Sequence, residues 1–163
     1  ENIFQNIAIH DIDSIEHRLW FGTRAGVFIY SSIQSQLMQM SDVGRKNFPE
    51  QLRNVVSLEQ YGSSIYVVSD IGIIEFDIEE KEWNLIFTSG IYSNKDVYSM
   101  ALNDKFIFLG VEDGLIKINK KTGLVRDYVF SFIGRVNEII LDGKEIWLGT
   151  SNGLIKFLWK RHL

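Results

Sequence analysis

The sequence predicts an all-β fold, a β-propeller with four blades of four antiparallel strands. The first observation is one string that recurs, reading EIWLGTSNGLIKF in its last copy. Its four copies are Arg18–Tyr30, Ser64–Phe76, Phe106–Ile118 and Glu145–Phe157. The second observation is the spacing of the glycine that follows each turn, since its copies are 46, 42 and 39 residues apart. These hinge glycines are Gly26, Gly72, Gly114 and Gly153.

The third repeat shows the order of strands and turns within one blade. Apolar and polar residues alternate, β-branched and aromatic residues are frequent, and turn residues separate short segments, which is typical of strands. The four predicted strands are Val97–Asn103, Phe106–Val111, Leu115–Asn119 and Leu124–Phe130. The second repeat follows the same order in NVVSLEQ, IYVVS, IIEFD and WNLIFT. Four antiparallel strands in about 40 residues are typical of a propeller blade.

The two ends of the chain leave two architectures open. The fourth repeat supplies only three strands, VNEIIL, IWLGT and LIKFLW, before the chain stops at Leu163. Residues 1–5 precede the first blade, and as a fourth strand of the last blade they would close a small ring. The alternative is half of a larger or paired propeller. In either case we expect one domain over 1–163, with repeats at about 6–53, 54–95, 96–135 and 136–163.

Two further positions recur within the repeat. The hinge glycines are expected to supply the positive φ of a tight hairpin turn. Gly22, Gly110 and Gly149 end the second strand of their blades, which predicts a bulge or a close backbone approach there. The second repeat has Val68 at that place.

An aromatic residue also recurs at one position of the second strand. Its four copies are Trp20, Tyr66, Phe108 and Trp147. The favoured interpretation is a wedge packed between neighbouring sheets, and the alternative is a stacking platform for a ligand.

Composition excludes several classes of protein. The 163 residues are 45% hydrophobic and 13% aromatic, enough for a packed core. The net charge of −4, without a long block of one sign, argues against a nucleic-acid partner. The absence of cysteine excludes disulfides and thiol catalysis. We expect no membrane segment, because no apolar run approaches about 20 residues. The first residue is Glu1 rather than Met, which is compatible with removal of a signal peptide or further domains.

No catalytic motif accompanies the repeats. A nucleophile elbow, a P-loop and a dinucleotide-binding glycine run are absent. The segment HDID, His10–Asp13, is the one metal candidate, and a turn with solvated carboxylates is favoured over it. We therefore expect a protein that is not an enzyme, with no cofactor and no metal. The less favoured alternative is a small metal-dependent hydrolase or lactonase that uses first-strand side chains. Those are Glu59, Asn103, Asn137 and Glu138.

One face of the predicted propeller is the candidate for ligand binding. The fourth-to-first and second-to-third connections share this face, and loops on a rigid scaffold are favoured recognition sites. The longest connection is Ser41–Arg53. Its mixed polar, charged and aromatic rim suits a small anionic molecule or an oligosaccharide, and an ordinary solvated loop face is the alternative. The candidate ligand-binding residues are Arg24, Arg45, Lys46, Asp70, Tyr92, Asn94, Glu112, Asp113, Arg135 and Ser151.

The strings IWLGT-SN-GLIKF, LWFGT-RA-GVFIY and IFLGV-ED-GLIKI resemble the two-component regulator propeller repeat. The second unit, IYVVSDIGIIEF, departs from it by lacking Gly-Thr. That repeat occurs in the extracellular sensor regions of bacterial hybrid two-component systems. The resemblance implies a periplasmic or extracellular module for ligand sensing in signal transduction, often of glycans or their breakdown products. The alternative function is a protein-interaction scaffold or a homodimer formed through propeller edges.

Overall fold

The computed structural model describes residues 6–43, 46–92 and 95–159. Within them the predicted all-β propeller fold is confirmed, because the strands form four small antiparallel sheets of four, four, four and three strands. The chain divides into two compact units, Glu1–Ile91 and Tyr92–Leu163, and each unit contains two sheets. Residues 1–5, the predicted fourth strand of the last blade, lie outside the described residues.

The first unit holds the first two sheets. The strands of its first sheet are β1 Ile9–Ile15, β2 Arg18–Thr23, β3 Gly26–Ser31 and β4 Gln36–Gln39. The strands of its second sheet are β5 Ser57–Tyr61, β6 Ser64–Ser69, β7 Gly72–Asp77 and β8 Glu82–Thr88. A four-residue helix, α1, follows β4 at Met40–Val43, and a 3-10 turn follows β8 at Ser89–Tyr92.

The second unit holds the third and fourth sheets. The strands of the third sheet are β9 Val97–Leu102, β10 Phe106–Val111, β11 Gly114–Asn119 and β12 Val125–Val129. The strands of the fourth sheet are β13 Val136–Asp142, β14 Glu145–Thr150 and β15 Gly153–Phe157. In every sheet the strands pair in chain order, so each blade is a simple meander. The predicted strands of the third repeat match these bounds to within one residue.

Each unit buries its core between its two sheets. In the first unit Trp20 packs 6.0 Å from Phe76, and Phe76 packs 4.8 Å from Trp83, measured between ring centroids. In the second unit Phe108 and Trp159 pack 5.5 Å apart. A single small sheet leaves one apolar face uncovered, so packing in pairs gives each pair a dry core.

The recurrent aromatic position contributes to both cores. Trp20 belongs to the core of the first unit and Phe108 to that of the second, which supports the wedge interpretation in these two blades. Tyr66 is also buried, on the face of β6 opposite the core residues Ile65 and Val67. Trp147 is half-buried, and the Lys156 ammonium lies 5.3 Å from the centroid of its ring. Burial, and secondarily the adjacent carboxylate of Glu75, raise the pKa of the Tyr66 hydroxyl.

The glycines that end the second strands coincide with bulges, as predicted. The register slips by one residue opposite Gly22, Gly110 and Gly149, at His10, Tyr98 and Asn137 of the first strands. The second sheet, which has Val68 there, pairs β5 with β6 without a slip. A side chain at this position is therefore compatible with the regular ladder, whereas glycine accompanies the bulge.

The hinge prediction is right in three blades and wrong in the third. Gly26, Gly72 and Gly153 have φ of 118°, 141° and 137°. In the third blade Asp113 takes the positive φ instead, at 51°. Gly114 is still required there, because a Cβ would collide with the carbonyl oxygen of Tyr128.

Candidate ligand-binding face

The first unit brings two predicted site residues near each other. Arg24 lies in the β2–β3 turn and Asp70 in the β6–β7 turn. Asn54 connects these turns, since its backbone amide donates to the Arg24 carbonyl over 3.0 Å and its side-chain amide donates to Asp70 Oδ2 over 3.3 Å. One oxygen of the Asp70 carboxylate therefore already accepts a hydrogen bond from within the fold.

Lys46 lies beside Glu82, away from the turns that carry Arg24 and Asp70. Its ammonium is 2.7 Å from Glu82 Oε2, and this hydrogen bond raises the pKa of Lys46. Glu82 begins β8 opposite Asp77, at the end of the second sheet away from the β6–β7 turn. The intervening strand spans about 16 Å, so Lys46 is not brought to the Arg24 and Asp70 turns. Arg45 and Asn94 lie outside the described residues.

The second unit gathers a larger group around the connection from β12 to β13. Asp113, in the β10–β11 turn, donates its amide to the Gly134 carbonyl over 3.0 Å and accepts the Gly134 amide on Oδ1 over 2.7 Å. Ser151, in the β14–β15 turn, accepts the Arg135 amide on Oγ over 2.8 Å and donates its own amide back over 2.9 Å. The connection is therefore held on both sides by the two hairpin turns.

Arg135 projects from this connection. Its guanidinium lies 5.2 Å from the ring centroid of Tyr98, and its Nε is 3.7 Å from Glu112 Oε2. Arg135 and Glu112 are both exposed, so this is a weak, solvated ion pair that a ligand can replace. Tyr92 contributes less to the surface, because only 9% of it is exposed.

Phe132 is the functional candidate that the sequence analysis missed. Its side chain is 89% exposed and its φ is 70°, a backbone conformation that is an outlier for a bulky residue. The Asn152 side-chain amide donates to the Phe132 carbonyl over 2.9 Å. Strained conformations of this kind persist where the surroundings fix them, often at binding sites. The sequence signal for this candidate is FSFIG, in which Phe132 stands two positions before a glycine of the β12–β13 connection.

We expect the Asp113 carboxylate to stabilise the fold. Asp113→Ala removes the charged acceptor of the Gly134 amide and should lower the free energy of unfolding by about 2 kcal/mol. Asp113→Asn keeps an acceptor and a residue that tolerates positive φ, so it should lose about half as much. Urea denaturation measures both. The control is Glu112→Ala, which should cost under about 0.5 kcal/mol; an equal loss there would contradict the assignment.

The segment His10–Asp13 lies within β1 and not in a turn, so the favoured interpretation as a turn is wrong. Asp11 Oδ2 accepts hydrogen bonds from Ser57 Oγ over 3.1 Å and from the Leu58 amide over 2.8 Å, and so joins the first strands of two blades. His10 Nδ1 lies 2.9 Å from the Val55 carbonyl oxygen. Among the described residues, no group of three or more His, Cys, Asp or Glu side chains is placed to hold a metal ion.

The four side chains of the hydrolase alternative lie in three different parts of the fold. Asn103 lies in the β9–β10 turn, where its Oδ1 accepts the amides of Lys105 and Phe106, each over 2.9 Å. Glu59 pairs with Tyr66 in the second sheet, and Asn137 and Glu138 are exposed at the bulge of β13. The side-chain oxygen of Asn103 is thus used to close a turn.

Three solved structures show the same fold over most of the chain. The extracellular domain of BT3049 from B. thetaiotaomicron, assigned as a hybrid two component system, is 20% identical with a TM-score of 0.69, over 91% of this chain and 22% of that one. The extracellular domain of BT4673 from B. thetaiotaomicron, assigned as a one component system, is 23% identical with a TM-score of 0.64, over 91% and 20%. The computationally designed Ika4 protein is 14% identical with a TM-score of 0.66, over 96% and 94%.

These likenesses establish the fold. The chain spans about a fifth of the length of the two extracellular domains. No family model matches the sequence, and no curated protein does. In the ranges that the structure describes, no helix is long and apolar enough to cross a membrane.

Proposed function

We propose that the protein is a non-enzymatic ligand-binding module of a periplasmic or extracellular sensor. Its ligand, an oligosaccharide or a related anionic molecule, contacts the β12–β13 connection of the second unit. The single observation that carries this proposal is the presentation of Phe132, an exposed aromatic residue whose strained backbone is fixed from both sides. A fixed backbone and a side chain with only two rotatable bonds limit the conformational entropy lost on binding.

The groups around Phe132 suit a sugar-like ligand. An aromatic face packs against the apolar face of a sugar ring, while charged and amide groups bind its hydroxyls. Arg135 adds a forked donor that matches a carboxylate or sulfate group. Glu112 lies within ion-pair distance of Arg135, and its exchange for a ligand anion would cost little because both groups are solvated.

The comparisons support a sensing role by analogy of fold. Two of the similar structures are extracellular domains of proteins assigned as one or hybrid two component systems. A shared fold raises the expectation of a shared role without fixing the ligand. The location outside the cytoplasm and the part in signal transduction belong to this proposal.

Thermal-shift measurements with a panel of hexasaccharides test the function. The panel contains mannohexaose, xylohexaose and the hexamer of galacturonate. We expect at least one to raise the melting temperature of the wild type, and Phe132→Ala to weaken its binding at least tenfold because the stacking face is lost. The control is Leu124→Ala, which removes another largely exposed apolar side chain (72%, against 89% for Phe132) from the β11–β12 turn at the other end of the sheet. Equal binding by Phe132→Ala and wild type would overturn the role of Phe132.

A second candidate function, self-association through a sheet edge, rests on a different observation. Among the described residues, β15 has no strand paired to its outer edge, and Leu154 on it is 70% exposed. Unpaired edges are templates for another strand. Light scattering over a range of protein concentrations separates the two functions, because self-association raises the mass without any saccharide.

A further inference from the structure

Lys117 is a buried lysine at the interface of the third and fourth sheets. Only 6% of it is exposed. Its ammonium lies 4.7 Å from the ring centroid of Phe106, 5.6 Å from that of Trp159 and 5.7 Å from that of Tyr128. Neither a carboxylate nor a hydrogen-bond acceptor pairs with this ammonium in the part of the chain that the structure describes. The three rings form an aromatic cage around the ammonium.

The equivalent position in the other blades shows how unusual this is. Ile29 occupies it in the first sheet and is fully buried. Glu75 in the second sheet accepts a hydrogen bond from the Tyr66 hydroxyl over 3.0 Å. Lys156 in the fourth sheet is exposed and pairs with Glu145 over 3.0 Å. The charged side chains at this position in the second and fourth blades therefore have polar partners, whereas the partners of Lys117 within the described ranges are aromatic rings.

Rings alone do not satisfy an ammonium. They attract its charge, but a ring face does not replace the oxygen acceptors that its three N–H donors prefer. The Tyr128 hydroxyl is also buried and has no hydrogen-bond partner among the described residues. Two kinds of donor thus lie in one apolar region, and an anion bearing oxygen atoms would provide an acceptor for the ammonium.

A cavity adjoins the cage. It has a volume of about 670 Å³ and lies at the end of the second unit away from the β10–β11 and β14–β15 turns. Two cage rings, Phe106 and Trp159, form part of its wall together with Leu102 and Leu141. The β9–β10 turn contributes Asn103, Asp104 and Lys105. Asp104 and Lys105 carry opposite charges at the cavity wall.

We propose that this cavity binds a small organic anion. The apolar body of the ligand packs against Phe106, Trp159 and the two leucines. Its carboxylate accepts from the Lys117 ammonium, which lies beside these two rings rather than in the cavity wall and turns towards the ligand about the four rotatable bonds of its stem. This site is separate from Phe132 and does not depend on the function proposed for that face.

Benzoate tests the proposal, with benzyl alcohol as a neutral molecule of similar shape and inorganic phosphate as an anion without an apolar body. Binding to the whole chain is followed by calorimetry and by the shift in melting temperature. We expect benzoate to bind at least tenfold more tightly than either comparison molecule. Lys117→Met, which keeps the volume and removes the charge, should weaken benzoate at least tenfold and leave benzyl alcohol unchanged. The fully buried Ile29 shows that this strand position accepts an apolar residue.

Two further variants keep the test decisive. Lys117→Gln retains a donor without the charge and should also lose benzoate, which covers the case in which the methionine variant fails to fold. Lys156→Met removes the lysine at the equivalent position of the fourth sheet and should bind benzoate as the wild type does. Three results would each overturn the proposal. Benzoate at about 10 mM, a concentration that detects even weak binding, could fail to bind the wild type. Phosphate could bind as tightly as benzoate, or the Lys117 variants could bind benzoate as tightly as the wild type.

Discussion

Alanine at Gly110 should lower the free energy of unfolding by about 3 kcal/mol, at the upper end of the cost of overpacking. The added Cβ would collide with Ser99 Oγ and would lie 2.6 Å from the Val136 carbonyl oxygen and 2.9 Å from Val136 Cγ1. Ser99 Oγ donates to that same carbonyl over 2.7 Å. The substitution therefore strains the hydrogen bond that joins the third sheet to the fourth. Urea denaturation followed by tryptophan fluorescence measures the loss.

Gly149→Ala is the matched control for Gly110→Ala. Gly149 ends the second strand of its own blade and also faces a bulge, but the nearest atom to an added Cβ is Glu138 Cβ at 3.3 Å. An exposed glutamate can shift by a few tenths of an ångström, so we expect a loss under about 1 kcal/mol. If the two variants lose the same stability, the cost belongs to the bulge itself and the contact with Val136 is unimportant.

The strands of the blades could be predicted because the same pattern of strands and turns recurs along the sequence. Alternation and turn residues located the strands of the third repeat to within one residue, and Gly22, Gly110 and Gly149 predicted the bulges. What the repeat could not supply is the contact that a glycine makes outside its own blade. The approach of Gly110 to Val136 depends on how two sheets pack, and single-strand patterns contain no such information.

The candidate face was less predictable for a physical reason. Asp113 and Ser151 look like free polar residues in turns, yet their side chains accept backbone amides of the neighbouring connection. Such hydrogen bonds join residues 16 or 21 positions apart, beyond the reach of local turn rules. Topology alone predicts Lys46 on this face, whereas its bridge to Glu82 at the start of β8 places it elsewhere.

Lys117 shows the same limit within a strand. In LIKIN the lysine stands among alternating residues as a solvent-facing side chain would. The core of the second unit lies between its third and fourth sheets, so alternation along β11 does not show whether a side chain is exposed. The fourth sheet covers Lys117, and the equivalent Lys156 stays exposed. Identical residue types at one repeat position therefore differ in environment by more than the sequence reveals.

Phe108→Ala should be the most destabilising of the substitutions considered, with a loss of about 4 kcal/mol. Phe108 is fully buried between the third and fourth sheets, where its ring packs against Trp159 and lies 6.2 Å from Phe106. Truncation leaves a cavity that the surrounding strands, fixed by their ladders, fill only in part. Equilibrium unfolding in urea gives the loss, with the dependence on urea concentration expected to stay unchanged.

Trp147→Ala provides the comparison at the same repeat position. Trp147 is half-buried and its ring contacts the Lys156 ammonium. Its truncation therefore removes a larger side chain than Phe108, but from a site that is more exposed to solvent. We expect a loss of about 1–2 kcal/mol, less than for Phe108, because the site opens to solvent and leaves no closed cavity. A wedge between sheets is defined by burial on both sides, so the smaller residue should matter more than the larger one. The reverse order would mean that the aromatic repeat position stabilises the fold through ring size alone, and that Trp147 is covered in solution by a surface outside the described residues.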